Sequence, residues 1–401
     1  MAKVIVVGGG PAGIMAALTA GENNEVFLIE RNEEIGKKLK LTGGGRCNIT
    51  NNRPVEELFD KVVTNRKFLY SAFYTFTNND MLDYLAKNNL EYKVEYDEKV
   101  YVKSDKAEHI IEMFKRDLRD KGVTILTNKK VVDLIVDNGE IKGIVTDTDE
   151  KVLGDKVIVT TGGKSHPQTG SDGTMLDILK KYGHDIVPTY PALIPLVIKE
   201  EFVKNLQGVS MKEVLLSAKI KKKKIEIVGD MIFTHFGISG PGVLKLSSYI
   251  NKILDKEEVE ITIDFMPNYT KEEISNAIRN NNNKSILNNL KGILPQNFLK
   301  EILNLLGLSE TKIHDLKRDD ENKLIEYLKN MKLTVRETLS IKVAMVTSGG
   351  VSVKNINAST MESKIIKNLY LAGEVIDVDA ETGGYNLQIA FSTGHLAGLI
   401  T

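Results

Sequence analysis

Two hydrophobic patterns share this chain. Near both ends, short unbroken apolar runs stop at glycines and give way to helical spacing. In the middle, apolar residues alternate with polar ones. An unbroken run bounded by turn residues predicts a strand buried on both faces, and period-two alternation predicts a strand with one wet face.

The opening shows the first pattern. Lys3 to Val7 predicts a buried strand, Gly8 to Gly13 a tight turn, and Ile14 to Ala20 a helix of small and apolar residues. Glu25 to Glu30 predicts a second buried strand, which completes a βαβ unit. Lys37 to Asn52 is polar and glycine-rich, so an ordered loop is expected. Residues 54–92 are expected to be largely helical, with strands between Tyr92 and Val102. Asp105 to Lys121 predicts an amphipathic helix with Ile110, Ile111, Phe114 and Leu118 on one face. Val123 to Leu126, Val131 to Val136, Gly143 to Thr146 and Val152 to Thr160 read as strands, with a turn at Asp137-Asn-Gly139.

Prolines at 188, 191 and 195 mark a crossing between domains. Residues 195–265 alternate with period two and predict a small β-domain, with Lys221 to Lys224 as a solvated hairpin turn. From Thr270 to Lys332 the spacing is helical, and Thr270 with Glu273 fits a capping box. The end returns to the first pattern: Leu369 to Gly373 is a buried strand and Asn386 to Leu399 a closing helix. The fold class is therefore α/β, with one discontinuous domain interrupted by an insertion.

Composition removes several chemistries. One Cys in 401 residues excludes internal disulfides, four-cysteine zinc sites and a Cys-x-x-Cys redox centre. The six His show no metal-ligand spacing, so no metal is expected. Lys plus Arg number 54 and so do Asp plus Glu, which argues against nucleic acid or anionic lipid as the main partner. No apolar run is long enough for a transmembrane helix, and Val4 to Val7 is too short for a signal peptide. The expected location is the cytoplasm, and the expected partner a small-molecule substrate. Oligomeric state is not legible.

The glycines carry the candidate chemistry. Gly8-x-Gly10-x-x-Gly13 follows a strand, opens a helix and is followed by Glu30 at the end of the next strand. That is the dinucleotide fingerprint: a tight turn at Gly8, close backbone approach at Gly10, helix–strand contact at Gly13, and a carboxylate for a ribose diol. Thr42-Gly-Gly-Gly-Arg46-Cys47-Asn48 reads as a second cofactor loop. Gly373-Glu374-x-x-Asp377 with Gly383-Gly-Tyr-Asn386 reads as a third. The fingerprint alone does not separate NAD from FAD.

These motifs, with Gly36 to Asn51, Thr161 to Gly170, Phe233 to Pro241, Thr347 to Val351 and Gly373 to Gln388, resemble the BaiN-like flavoproteins. These are the aminoacetone-oxidase-like FAD-binding enzymes of the two-dinucleotide-binding-domain superfamily, and the resemblance covers nearly the whole chain. It implies an FAD cofactor, a Rossmann-like FAD domain at 1–190 and 340–401, a β-barrel insert at 191–268 and 331–339 as substrate domain, and a helical insert at 269–330. It also implies that Gly8, Gly10, Pro11, Ala12 and Gly13 hold the pyrophosphate, and that Glu30 and Arg31 lie by the adenosine ribose. Lys37, Thr42, Gly43, Gly44, Arg46, Cys47 and Asn48 would run along the FAD. Val132 would meet adenine, and Thr161 and Gly162 the pyrophosphate. Gly373, Glu374 and Asp377 would face the ribityl side, and Tyr385, Asn386, Leu387 and Gln388 the flavin ring. Two departures stand out: Tyr101-Val102 replaces a common Phe-Pro, and Asp230 a common Glu.

The expected activity is an FAD-dependent oxidoreductase acting on a small organic molecule by hydride transfer at flavin N5. NAD(P)H is a candidate transient donor, and oxidase and reductase both stay open. No catalytic residue is fixed; the candidates are His235, Arg46 and Tyr385. Arg46 stays open between an anion contact and a salt bridge, and Cys47 reads as a small packed residue. The alternatives are a non-catalytic FAD-binding redox sensor and a flavin-dependent RNA-modifying enzyme.

Overall fold

A computed structural model describes residues 1–400. They divide into two units, each with its own apolar core: Met1–Tyr190 together with the chain from Ile341 onward, and Pro191–Ser340.

The first unit is built on a parallel five-stranded sheet. Its order is Leu369–Leu371, Lys156–Val159, β1 (Lys3–Val7), β2 (Glu25–Ile29) and Thr124–Leu126. Val4, Ile5 and Val6 are fully buried, which is why β1 is an unbroken apolar run. Helix α1 (Pro11–Ala20) starts with proline, whose missing N–H costs nothing at that position. Ala12 to Ala20 are all buried, because α1 is covered on its other side by the closing helix Tyr385–Gly398. A Cβ on Gly394 of that helix would stand 2.2 Å from the Ala12 carbonyl oxygen.

Two further sheets flank this one. Val131–Asp137, Glu140–Thr146 and Lys151–Leu153 form an antiparallel sheet, and Asn138 and Gly139 turn its hairpin in the left-handed region. The strand expected from Val152 to Thr160 is broken at Gly154-Asp155, and its halves join different sheets. The loop expected from Lys37 to Asn52 contains a strand, Asn48–Asn51, paired with Lys99–Val102, which pairs in turn with Tyr92–Glu95.

The second unit is a closed barrel of six strands. Their order is Leu196–Ile198, Gly237–Ser239, Lys223–Phe233, Ser210–Ile220, Val259–Asp264 and Met331–Thr338. A helix the alternation did not predict, Pro241–Leu254, lies inside this region. It buries Val243, Leu246 and Ile250 at helical spacing, and Gly240-Pro241 is its local start signal. Four helices follow: Lys271–Ile278, Ile286–Leu290, Gln296–Leu305 and Arg318–Asn330. The Thr270–Glu273 capping box forms in full. Among the described residues no helix is long and apolar enough to cross a membrane, and no cluster of side chains suits a metal ion.

Candidate cofactor site

The site begins where β1 hands over to α1. A Cβ on Gly13 would stand 1.8 Å from the Gly8 carbonyl oxygen, so only glycine lets the helix start this close to the turn. Gly10, the N-cap, is different: a Cβ there would meet nothing within 4 Å. No side chain caps the helix, so its first turn presents backbone N–H groups and a positive dipole end to open space. That is the anion-binding geometry of a helix N-terminus.

Two buried hydroxyls point to the same conclusion. Thr160 Oγ1 is used up, donating to the carbonyls of Val7 and Gly8 at 2.9 Å each. Thr161 Oγ1 and Ser171 Oγ are buried with no hydrogen-bond partner. Ser171 Oγ lies 2.7 Å from where a Cβ on Gly162 would stand. A buried hydroxyl left unpaired costs about 1–3 kcal/mol, a cost that ligand oxygens would remove. The Gly373 turn closes the group, since a Cβ there would stand 2.7 Å from Ala12 Cβ. The uncapped helix, the open space at Gly10 and the unsatisfied hydroxyls fit the pyrophosphate of a dinucleotide.

On one side stand Glu30 and Arg31. Glu30 is buried; its Oε2 accepts from Gly9 N–H at 2.7 Å, and its Oε1 from the backbone and side chain of Asn32. Two carboxylate oxygens still have lone pairs for a diol. Arg31 donates to Asp172 at 2.5 Å and to the Gly170 carbonyl. Burial alone would raise the Asp172 carboxyl, but hydrogen bonds from Arg31 and Thr174 outweigh it and hold it well below the usual range. Val132 stands half-exposed on a neighbouring sheet, whose approach is tied in by Lys129 N–H to the Glu30 carbonyl.

On the other side runs the Lys37–Asn48 loop. Lys37 makes no contact that defines a role, whereas Lys38 is the centre of a network. Its Nζ lies 2.6 Å from both Ser165 Oγ and Glu374 Oε2. Glu374 Oε1 also accepts from Ser165 Oγ and from Thr347 N–H. Thr42 Oγ1 donates to the Leu39 carbonyl, Gly43 and Gly44 turn in the left-handed region, and the Asn48 amide, turned to satisfy both its ends, accepts from Gly384 N–H at 3.0 Å. Cys47 is fully buried, and burial pushes its thiol up to about 12 against the opposing hydrogen bond of Thr42. It is a packed thiol, not a thiolate. Arg46 is held by Glu95 and Asp105 and lies over the Tyr101 ring at 4.2 Å, so its charge is already engaged.

The closing helix contributes more structure than free side chains. Gln388 is fully buried, accepting from Thr50 Oγ1 at 2.6 Å and donating to the Phe76 carbonyl and Ser392. Asn386 ties the Ala380–Glu381 turn, and Asp377 takes Asn65 at 2.9 Å. Leu387 is half-buried. The buried phenol of Tyr385 is pushed up to about 12, by burial first and then by Asp97, with Arg53 opposing. His235 belongs to the barrel unit, exposed and edge-on to Phe236.

Sequence reasoning missed Lys38, Ser165, Ser171 and Thr347. All four lie in or beside the quoted motifs, but nothing in spacing says which of Lys37 and Lys38 turns inward. The two partners of Lys38 are 127 and 336 residues away.

Comparison with known proteins gives one family. The HI0933-like protein Rossmann domain matches residues 2–400. A 3-dehydro-bile acid delta(4,6)-reductase from Clostridium scindens is 31% identical over 99% of this chain and 98% of its own length. A ribosomal RNA dihydrouridine synthase from Haemophilus influenzae is 30% identical over 98% of this chain and 97% of its own. The solved 3-ketosteroid-delta4-(5alpha)-dehydrogenase from Rhodococcus jostii RHA1 shares the fold, with TM-score 0.54 and 12% identity over 99% of this chain and 96% of its own.

Proposed function

Because the chain belongs to the HI0933-like Rossmann family, we propose that it is an FAD-dependent oxidoreductase, and specifically a reductase of a carbon–carbon double bond conjugated to a carbonyl. The observation that carries the cofactor is the uncapped α1 terminus facing open space beside the buried, unpaired hydroxyls of Thr161 and Ser171. The reaction is supported by what the two relatives' names have in common. A 3-oxo steroid with double bonds at positions 4 and 6, and uracil with its 5,6 double bond, are both electron-poor alkenes conjugated to a carbonyl.

When bound, FAD supplies the hydride chemistry; the protein supplies binding, orientation and protons. The first turn of α1, with Thr161 and Ser171, holds the pyrophosphate. Glu30 offers its remaining lone pairs to the adenosine ribose. The Lys38–Glu374 pair ties the Lys37–Asn48 loop to the Gly373 turn. The buried Tyr385 hydroxyl has no hydrogen-bond partner among the described residues, and as a neutral phenol it is the candidate donor of the proton that completes the reduction. NAD(P)H is the proposed electron source; with a single fingerprint in the chain, it would approach the flavin from the substrate side.

Two substrates remain within this reading: a small enone, or a uracil within RNA. The dihydrouridine synthase relative favours the second, and the bile-acid reductase favours the first. Purified protein tests the cofactor claim. It is expected to be yellow, or to bind added FAD, and to bleach anaerobically with NADH or NADPH. Protein that retains no flavin after incubation with excess FAD and removal of the unbound cofactor rejects the proposal.

A further inference from the structure

The barrel carries a charged feature that the flavin site does not use. Strands Ser210–Ile220 and Lys223–Phe233 pair along their whole length, but Val259–Asp264 reaches only from Leu215 to Ala218 on one flank. On the other flank, Gly237–Ser239 reaches only Ile232 and Phe233. Residues 219–224 therefore form a two-stranded ribbon beyond the last cross-strand neighbour.

That ribbon holds five lysines in six positions: Lys219, Lys221, Lys222, Lys223 and Lys224. All are exposed. Only Lys224 has an ion pair, with Glu226 at 2.7 Å; the other four have none among the described residues. Elsewhere on the same barrel, Lys199 pairs with Glu258 and Lys332 with Glu260. Lys219 stands directly opposite Lys224 in the strand register, an arrangement that repels. Lys221 turns in the left-handed region, where glycine or asparagine would be the easier choice. The opposed lysines do not add to local stability, whereas a polyanionic partner would use the four ammonium groups without ion pairs. The zero net charge of the chain averages over this segregation.

We infer that the Lys219–Lys224 ribbon is an RNA-docking surface that grips the phosphate backbone of a folded RNA carrying the substrate uracil. The inference rests on the uracil branch of the proposed function. An anionic membrane is the weaker fit: Ile225 is buried, Ile220 is half-buried, and no exposed apolar side chain lies between them to enter a bilayer. Phosphate contacts position an RNA without reading its sequence, which is the task a protruding tip can perform.

The test uses FAD-loaded full-length protein and an unmodified ribosomal RNA transcript, with affinity measured by anisotropy across a salt series. Each lost phosphate contact lowers the slope of log K against log salt by about 0.7 to 0.9. Changing Lys219, Lys221, Lys222 and Lys223 together to Gln is expected to lower it by about 3, and the same four changed to Arg to restore it. FAD absorbance and bleaching should not change in either variant. An unchanged slope in the Gln variant overturns the docking surface. So does lysine-dependent binding to vesicles of phosphatidylcholine with 30% phosphatidylserine without binding to the RNA. A slope that falls while no uracil or enone is ever reduced leaves the docking surface standing and removes the reductase reading. Reduction with RNA binding insensitive to the tip does the reverse.

Discussion

Gly10 and Gly13 lie three residues apart and do different work. A Cβ on Gly13 would collide with the Gly8 carbonyl, whereas one on Gly10 would enter open space. Gly10→Ala is therefore expected to leave the melting temperature of the FAD-free protein unchanged and to weaken FAD binding at least tenfold. Gly13→Ala is expected to lower both, with a stability loss of about 1–3 kcal/mol from overpacking. Equal melting-point losses in the two variants would show that Gly10 is not cofactor space. Both glycines were legible from the fingerprint, but their separate roles were not, because the fingerprint does not show which Cβ position is empty. Cys47 is the other residue with a sharp expectation. Its folded thiol is raised from 9.0 to about 12, while the unfolded thiol ionises near its usual value. Above about pH 9 the unfolded state therefore binds fewer protons, and stability falls as pH rises toward 12. Cys47→Ala should remove that component, and native protein at pH 8 should resist a thiol-specific disulfide reagent until it is unfolded. Fast labelling of the native protein would reassign Cys47 as reactive.

Among elements, those framing the site were the most legible. β1, α1 and β2 follow directly from an unbroken apolar run, a glycine turn and a second run, since each is buried on all sides. Helix Pro241–Leu254 was missed because alternating strands surround it, and only its Gly240-Pro241 start breaks the pattern. Strand Asn48–Asn51 was missed because it is polar and gains its partner from Lys99–Val102, some fifty positions on. The closing helix shows the limit of motif reasoning. Gln388 lies in a stretch the resemblance turns toward the flavin, yet its side chain is spent inside the protein on Thr50, Phe76 and Ser392. Gln388→Leu should therefore destabilise the fold by about 1–3 kcal/mol through unpaired buried groups, measured by urea unfolding. Its effect on substrate KM in the surviving folded protein should be less than threefold. A large KM change with unchanged stability would return Gln388 to the substrate wall.

For the molecule as a whole, the two-part organisation was legible from the composition change near Pro188 and the return of the first hydrophobic pattern at Leu369. The Lys38 network was not, because it joins residues brought together only by folding: Lys38, Ser165, Thr347 and Glu374. Every piece of the candidate cofactor site belongs to one unit, Met1–Tyr190 with the chain from Ile341 onward. The direction of the chemistry is the central claim, and reoxidation kinetics test it most directly. Enzyme reduced anaerobically with one equivalent of NADPH, or photochemically, is mixed with a 4-en-3-one steroid, with uridine-containing ribosomal RNA transcript, or with oxygen. The account predicts that at least one conjugated acceptor restores the oxidised flavin spectrum at least tenfold faster than air-saturated buffer does, and that its double bond is saturated in the product. Rapid reoxidation by oxygen alone, with peroxide released and both conjugated acceptors inert, would contradict it.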